Sequence, residues 1–125
     1  ELTRASAKDG ANLMMLPSND SWWFNDSVET YQNEVQAMLR AIESGRYLVR
    51  AGNTGISSII NEHGEHLAWI APMEEGIAIA DVEMCTQTTL YTHIGNLLVY
   101  LCIAFVLLLY PIEFILDKCR KKNTI

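Results

Sequence analysis

Apolar positions along this chain change rhythm several times, and each rhythm predicts an element. The longest run lies late. Residues 97–112 read LLVYLCIAFVLLLYPI without a charge, and extension to Leu116 adds only Glu113. At about 1.5 Å per residue, twenty helical residues span roughly 30 Å, the thickness of a bilayer's hydrocarbon core. The run therefore predicts a transmembrane helix over 94–116. Pro111 falls near its far end, where a kink costs least, and Glu113 falls near the interface.

Upstream the rhythm shortens. Val28, Tyr31, Val35, Met38, Leu39 and Ile42 recur at three- and four-residue spacing and predict an amphipathic helix over 28–43, closed by Ser44-Gly45. Leu2 to Lys8 reads as the end of a helix stopped at Asp9-Gly10. Asn12 to Leu16 is a short apolar run halted by Pro17, as expected of a buried strand. Tyr47–Ala51 predicts another strand. Ile56–Asn61 and His66–Ile70 predict a hairpin around Glu62–Glu65, and the alternating Gly76–Val82 predicts a final strand. This order belongs to a layered α/β domain. The expected organisation is a domain over 1–82, a polar linker over 83–93, the membrane helix over 94–116 and a basic tail over 117–125.

Charge orients the helix. Lys118, Arg120, Lys121 and Lys122 follow it, whereas residues 79–93 hold no Lys or Arg. The positive-inside rule then puts the C-terminus in the cytoplasm and the domain on the extracytoplasmic face. The net charge of −6 argues against nucleic-acid binding and against adhesion to anionic lipid. An exported domain with no leader among residues 1–16 is expected to be the C-terminal portion of something longer, delivered by an upstream membrane segment.

The residues supply no self-contained catalytic set. Cys85 stands in the linker, Cys102 in the membrane run and Cys119 beyond it, which gives neither a disulfide pair nor a metal framework. His63 and His66 flank a turn and are too few for zinc, so they are expected at a solvated hairpin tip. Gly52 and Gly55 precede no helix and form no phosphate loop. Polar residues do gather at strand ends: Ser18, Asn19 and Asp20 after one, Asn53, Thr54 and Gly55 after another. Ligand sites of open α/β sheets form at such ends, although Asn and Asp there also serve as plain turn residues. Arg40 and Glu43 are spaced for an i, i+3 surface pair. Arg40, beside the apolar face, and Arg50, inside a strand, are candidates for buried ion pairs.

Four segments in collinear order carry a family resemblance. They are Asn19-Asp20 with Trp22, Trp23 and Phe24; Arg40-Ala41-Ile42-Glu43-Ser44-Gly45-Arg46; Arg50-Ala51-Gly52-Asn53-Thr54-Gly55-Ile56-Ser57; and the Asn61–Gly64 hairpin. Together they resemble the C-terminal half of the carbon–nitrogen hydrolase (nitrilase) superfamily. More narrowly they resemble its membrane-bound branch, the apolipoprotein N-acyltransferases, in which a last membrane helix also follows the domain. The loop departs from the branch in having two tryptophans, Trp22 and Trp23, where one is usual.

The resemblance implies half of a nitrilase-like α/β sandwich followed by one transmembrane helix, in a bacterial cytoplasmic (inner) membrane. It implies an enzyme that moves an acyl chain from a phospholipid donor to the N-terminal cysteine amine of a lipoprotein through a Cys thioester, without metal or other cofactor. The family's Glu, Lys and Cys fall before Glu1, so no catalytic residue is expected in this chain, which by itself would be inactive and would need the upstream half of the same protein. Asn19, Asp20, Trp22 and Trp23 are the implied substrate-pocket residues, with Arg40, Glu43 and Asn53 supporting them from behind. A membrane-tethered amidase of the same superfamily, and a non-catalytic half that works with a partner chain, are the alternatives.

Overall fold

A computed structural model describes residues 2–22 and 27–122, with side chains as far as 109. Helix α1 spans Leu2–Lys8, strand β1 Leu13–Ser18, helix α2 Val28–Ser44, strand β2 Tyr47–Gly52, β3 Ser57–Ile60 and β4 His66–Ile70. The sheet runs in the order β1-β2-β3-β4. β1 and β2 are parallel, with α2 as the crossover between them, and β2, β3 and β4 are an antiparallel meander. Pro17 lies inside β1 and does not stop it. The strand holds an edge of the sheet, where a missing N–H donor is tolerated.

Helix α2 sits on the sheet with the face opposite to the one its apolar pattern suggests. Its buried residues are Thr30, Glu34, Ala37, Ala41 and Ser44, again at four- and three-residue spacing. Ala37 and Ala41 join Leu48 and Ile60 in the core, with Met14 and Met38 packed against them. Small side chains let the helix axis approach the sheet closely. The apolar stripe Val28, Tyr31, Val35, Leu39 and Ile42 consequently points away from the core and is exposed. The helix ends at Gly45, whose φ of 61° and ψ of 42° form the left-handed cap that a Cβ would disfavour. A Cβ there would also lie 2.8 Å from Thr89 Cγ2.

Residues 76–82 do not form the expected final strand. Their alternation survives as one-sided burial: Ala78, Ala80 and Val82 are half-buried, while Ile77 and Ile79 are 88 % and 84 % exposed. A strand also needs a neighbour to complete its hydrogen-bond ladder, and among the described residues none pairs with this segment.

The following stretch, expected as a linker, is tied into the domain. Arg46 Nη1 donates to the Gln87 carbonyl, and Thr89 Oγ1 donates to the Glu43 carbonyl. Thr89 Oγ1 also accepts from Thr92 N at 3.1 Å, capping the short helix α3, Leu90–Ile94. The chain divides into two compact units, Glu1–His93 and Ile94–Ile125. Helix α4 occupies Leu97–Lys122 in the second and starts three residues later than expected, after a turn at Gly95-Asn96. Among the residues whose side chains are described, no helix is long and apolar enough to cross a membrane; residues 110–116 of the span expected over 94–116 lie outside them.

Candidate functional site

The strand ends that drew attention in the sequence meet at one end of the sheet. β1 and β2 run parallel in register, Ser18 against Gly52, so the loops that follow them emerge side by side. Asn53 N donates to the Ser18 carbonyl at 3.1 Å and carries the pairing one residue past the strands. Asn53 Nδ2 donates to Asn19 Oδ1 at 3.3 Å. The same Asn19 oxygen accepts from Ser21 N at 3.2 Å and from Ser21 Oγ at 2.6 Å, an Asx turn that reverses the chain beyond the strand.

Asp20 turns the other way. The residue is 5 % exposed, and its carboxylate receives Arg50 Nη2 at 2.8 Å and Ser18 Oγ at 3.2 Å. Arg50 Nη1 reaches Glu34 Oε2 at 2.9 Å, and the other oxygen of Glu34 lies 2.7 Å from His66 Nε2. Strand alternation explains the placement. Arg50 follows Leu48 by two residues and so shares its helix-facing side of the sheet. Across the ladder Arg50 meets Leu16 on one side and the small Ser58 on the other. Glu34 lies one turn before Ala37 on the buried face of α2. The network thus joins β1's exit loop, α2 and β2 through charge-assisted bonds shielded from water, and β4 through the more exposed His66.

Trp22, two residues beyond Asp20, is 82 % exposed. Trp23 and Phe24, also expected in this loop, lie outside the described residues. The loop therefore has a buried ionic root at Asp20 and, at Trp22, an aromatic side chain in the open. A cleft of about 280 Å³ lies below it, bounded by Leu16, Asp20, Gln36, Arg40 and Arg50. Arg40 and Glu43 form a two-pronged pair, Nη2 to Oε1 at 3.0 Å and Nη1 to Oε2 at 2.9 Å, with side chains 38 % and 30 % exposed. A larger cleft of about 550 Å³ includes Ile42, Glu62, Glu83, Met84 and Cys85 and contains none of the expected site residues. Among the described residues no group of three or more His, Cys, Asp or Glu is placed to hold a metal ion.

Two members of the network, Glu34 and His66, escaped the sequence reading. Thr30, Glu34, Ala37 and Ala41 repeat as regularly as the apolar stripe, and a strand arginine demands a buried carboxylate. The two signals together point to Glu34. His66 directly follows the hairpin turn and is exposed, as expected, but it opens β4 with Nε2 against Glu34.

A parallel β-α-β crossover extended by an antiparallel meander, with polar residues gathered where parallel strands end, is an α/β arrangement of the carbon–nitrogen hydrolase kind. Residues 1–89 match the carbon–nitrogen hydrolase family, and the chain belongs to it. It is similar to the apolipoprotein N-acyltransferase of Borreliella burgdorferi, at 35 % identity over 94 % of this chain and 23 % of that protein. It is similar also to apolipoprotein N-acyltransferase 1 of Treponema denticola (30 % identity over 99 % of this chain and 23 % of the relative). The apolipoprotein N-acyltransferase of Shewanella oneidensis is 37 % identical over 86 % of this chain and 21 % of its own length. The chain thus spans less than a quarter of the length of these relatives.

Proposed function

We propose that this chain is the C-terminal part of a bacterial membrane acyltransferase that moves an acyl chain from phospholipid to the N-terminal amine of lipoproteins. One observation carries the narrower reading. The family match ends at residue 89, but the similarity to the Treponema denticola acyltransferase takes in 99 % of the chain, apolar C-terminal helix included. A soluble hydrolase of the family has no need of such a helix.

In this reading the catalytic Cys, Glu and Lys belong to the upstream part of the protein. The thiolate attacks a phospholipid ester carbonyl, the lysolipid leaves with a proton, and a thioester remains. The lipoprotein amine then attacks the thioester, forms the amide and returns the thiolate. The present chain supplies part of the sheet and the loop Asn19–Trp23, whose aromatics suit an acyl chain, with Arg40, Glu43 and Asn53 behind it. The apolar run ending in Leu116, with Lys118, Arg120, Lys121 and Lys122 after it, would be the membrane anchor with its basic end in the cytoplasm. The domain would then lie on the outer face of the inner membrane.

The test is to express the complete gene, purify the membrane protein and offer it a labelled phosphatidylethanolamine and a diacylated lipopeptide. Transfer of label to the peptide amine is the expected result. Release of free fatty acid or ammonia from amide substrates, without transfer, would replace the acyltransferase by a tethered amidase. Activity only on co-expression with a second gene would make this chain one half of a two-chain enzyme.

A further inference from the structure

We propose that Arg50 is a positioning residue for the acyl-transfer site, acting through Asp20 to fix the Asn19–Trp22 loop. The inference rests on the acyltransferase reading. Arg50, Asp20 and Glu34 are each 5 % exposed or less, so none of them meets substrate in bulk water. Asp20 is nonetheless covalently next to Asn19, whose oxygen organises the exposed turn, and two residues from Trp22. Whatever holds the Asp20 carboxylate therefore holds the base of that turn.

Arg50 is built for this. Its two terminal nitrogens bond different carboxylates, 2.8 Å to Asp20 and 2.9 Å to Glu34, which pins the guanidinium plane from two directions. Glu34 comes from the middle of α2, so the loop is referenced to the helix and the sheet together. Ser18 Oγ adds a bond to Asp20 Oδ2, and Gly55 opens the space that the carboxylate fills. A loop clamped at its root and open at its tip presents Asn19 and Trp22 in one orientation. Such pre-organisation lowers the cost of aligning reactants.

The experiment uses the full-length enzyme in detergent or proteoliposomes. Arg50→Gln and Asp20→Asn are each compared with wild type in two readouts: acyl transfer, and deuterium uptake by peptides covering the 18–22 loop and strands β3 and β4. Both variants are expected to lower kcat by tenfold or more with little change in KM, and to speed exchange in the loop while leaving β3 and β4 protected. The joint variant is expected to be no slower than the worse single one, since one clamp is lost only once. Arg50→Lys, which keeps the charge but not the fork, is expected to fall between. If exchange rises equally in β3 and β4, Arg50 merely supports the fold and the positioning role is wrong. Unchanged transfer with a loosened loop also overturns it. A wild-type enzyme that transfers no acyl chain overturns the functional reading itself, a result distinct from either.

Discussion

Asp20 and Gly55 occupy one space between them. A Cβ placed on Gly55 would lie 1.9 Å from Asp20 Oδ2 and 2.7 Å from its Cγ, well inside contact distance. The carboxylate cannot simply swing aside, because Arg50 holds the same oxygen at 2.8 Å. Gly55→Ala should therefore expel Asp20 and leave Arg50 with Glu34 alone. Losing one of the two buried charged bonds of Arg50, with Glu34 still paired to it, costs about 1.5–3 kcal/mol. Urea unfolding followed by fluorescence should place Gly55→Ala close to Asp20→Ala. A loss below about 1 kcal/mol would mean that the carboxylate has another seat.

The two arginine pairs of α2 should behave very differently. Glu34→Ala removes the central carboxylate between Arg50 and His66, leaves Arg50 with Asp20 alone, and should destabilise by about 1.5–3 kcal/mol. Glu43→Ala removes only the half-exposed partner of Arg40 and should cost no more than about 0.5 kcal/mol. Arg40 also borders the cleft below the loop. In the complete enzyme Arg40→Ala is therefore expected to lower acyl transfer at nearly unchanged stability. Equal effects of Glu34→Ala and Glu43→Ala on unfolding would contradict the burial that separates them.

Local patterns carried most of the fold. The bounds of α1 and β4 agree with the sequence reading, and the hairpin turns where Asn61 and Gly64 suggest, with Asn61 Oδ1 accepting from His63 N and Glu65 N. What the local pattern does not carry is which side faces the core. An apolar stripe predicts burial only if its partner is present, and α2 instead buries alanines against a sheet that needs close approach. The 76–82 segment failed for a related reason, since alternation reports one-sided cover and not ladder partners. At the site, Asn19, Asp20 and Asn53 were legible as strand-end polar residues; Asn19 and Asn53 do meet, while Asp20 turns inward to Arg50. The clamp was not, because Glu34 and His66 come from distant segments and only the tertiary fold sets them beside Arg50.

The inverted helix face predicts an unusual substitution pattern. In a protein of residues 1–93, Val35→Gln and Leu39→Gln should change stability by no more than about 0.5 kcal/mol, as surface changes do. Ala41→Leu, which overfills the space between α2 and the sheet, should cost about 1–3 kcal/mol. The same protein should bind a hydrophobic dye, because Met15, Val35, Leu39, Ile77 and Ile79 are all exposed. Val35→Gln and Leu39→Gln should reduce that binding. A dye-silent, cooperative monomer would show that these side chains find cover within 1–93 itself.

Cys85 supplies a pH-dependent prediction. Burial pushes its thiol above the ordinary thiol range, Glu62 and Glu83 add to the rise, and Arg46 opposes it. Only the thiolate reacts with iodoacetamide, so alkylation of Cys85 at neutral pH should be slower than that of a free cysteine. Its rate should keep climbing after the free thiol has levelled off, and peptide mass spectrometry separates it from the other cysteines. Glu62→Gln should move the profile part of the way back. Stability follows the same sign. At neutral pH the thiol is protonated in both folded and unfolded chains, so its contribution is complete there. As pH rises through the unfolded thiol's range, the unfolded chain loses its proton first, and stability falls until the folded thiol ionises too. Cys85→Ser should flatten that part of the curve, and an unaltered slope would show that the loss arises elsewhere.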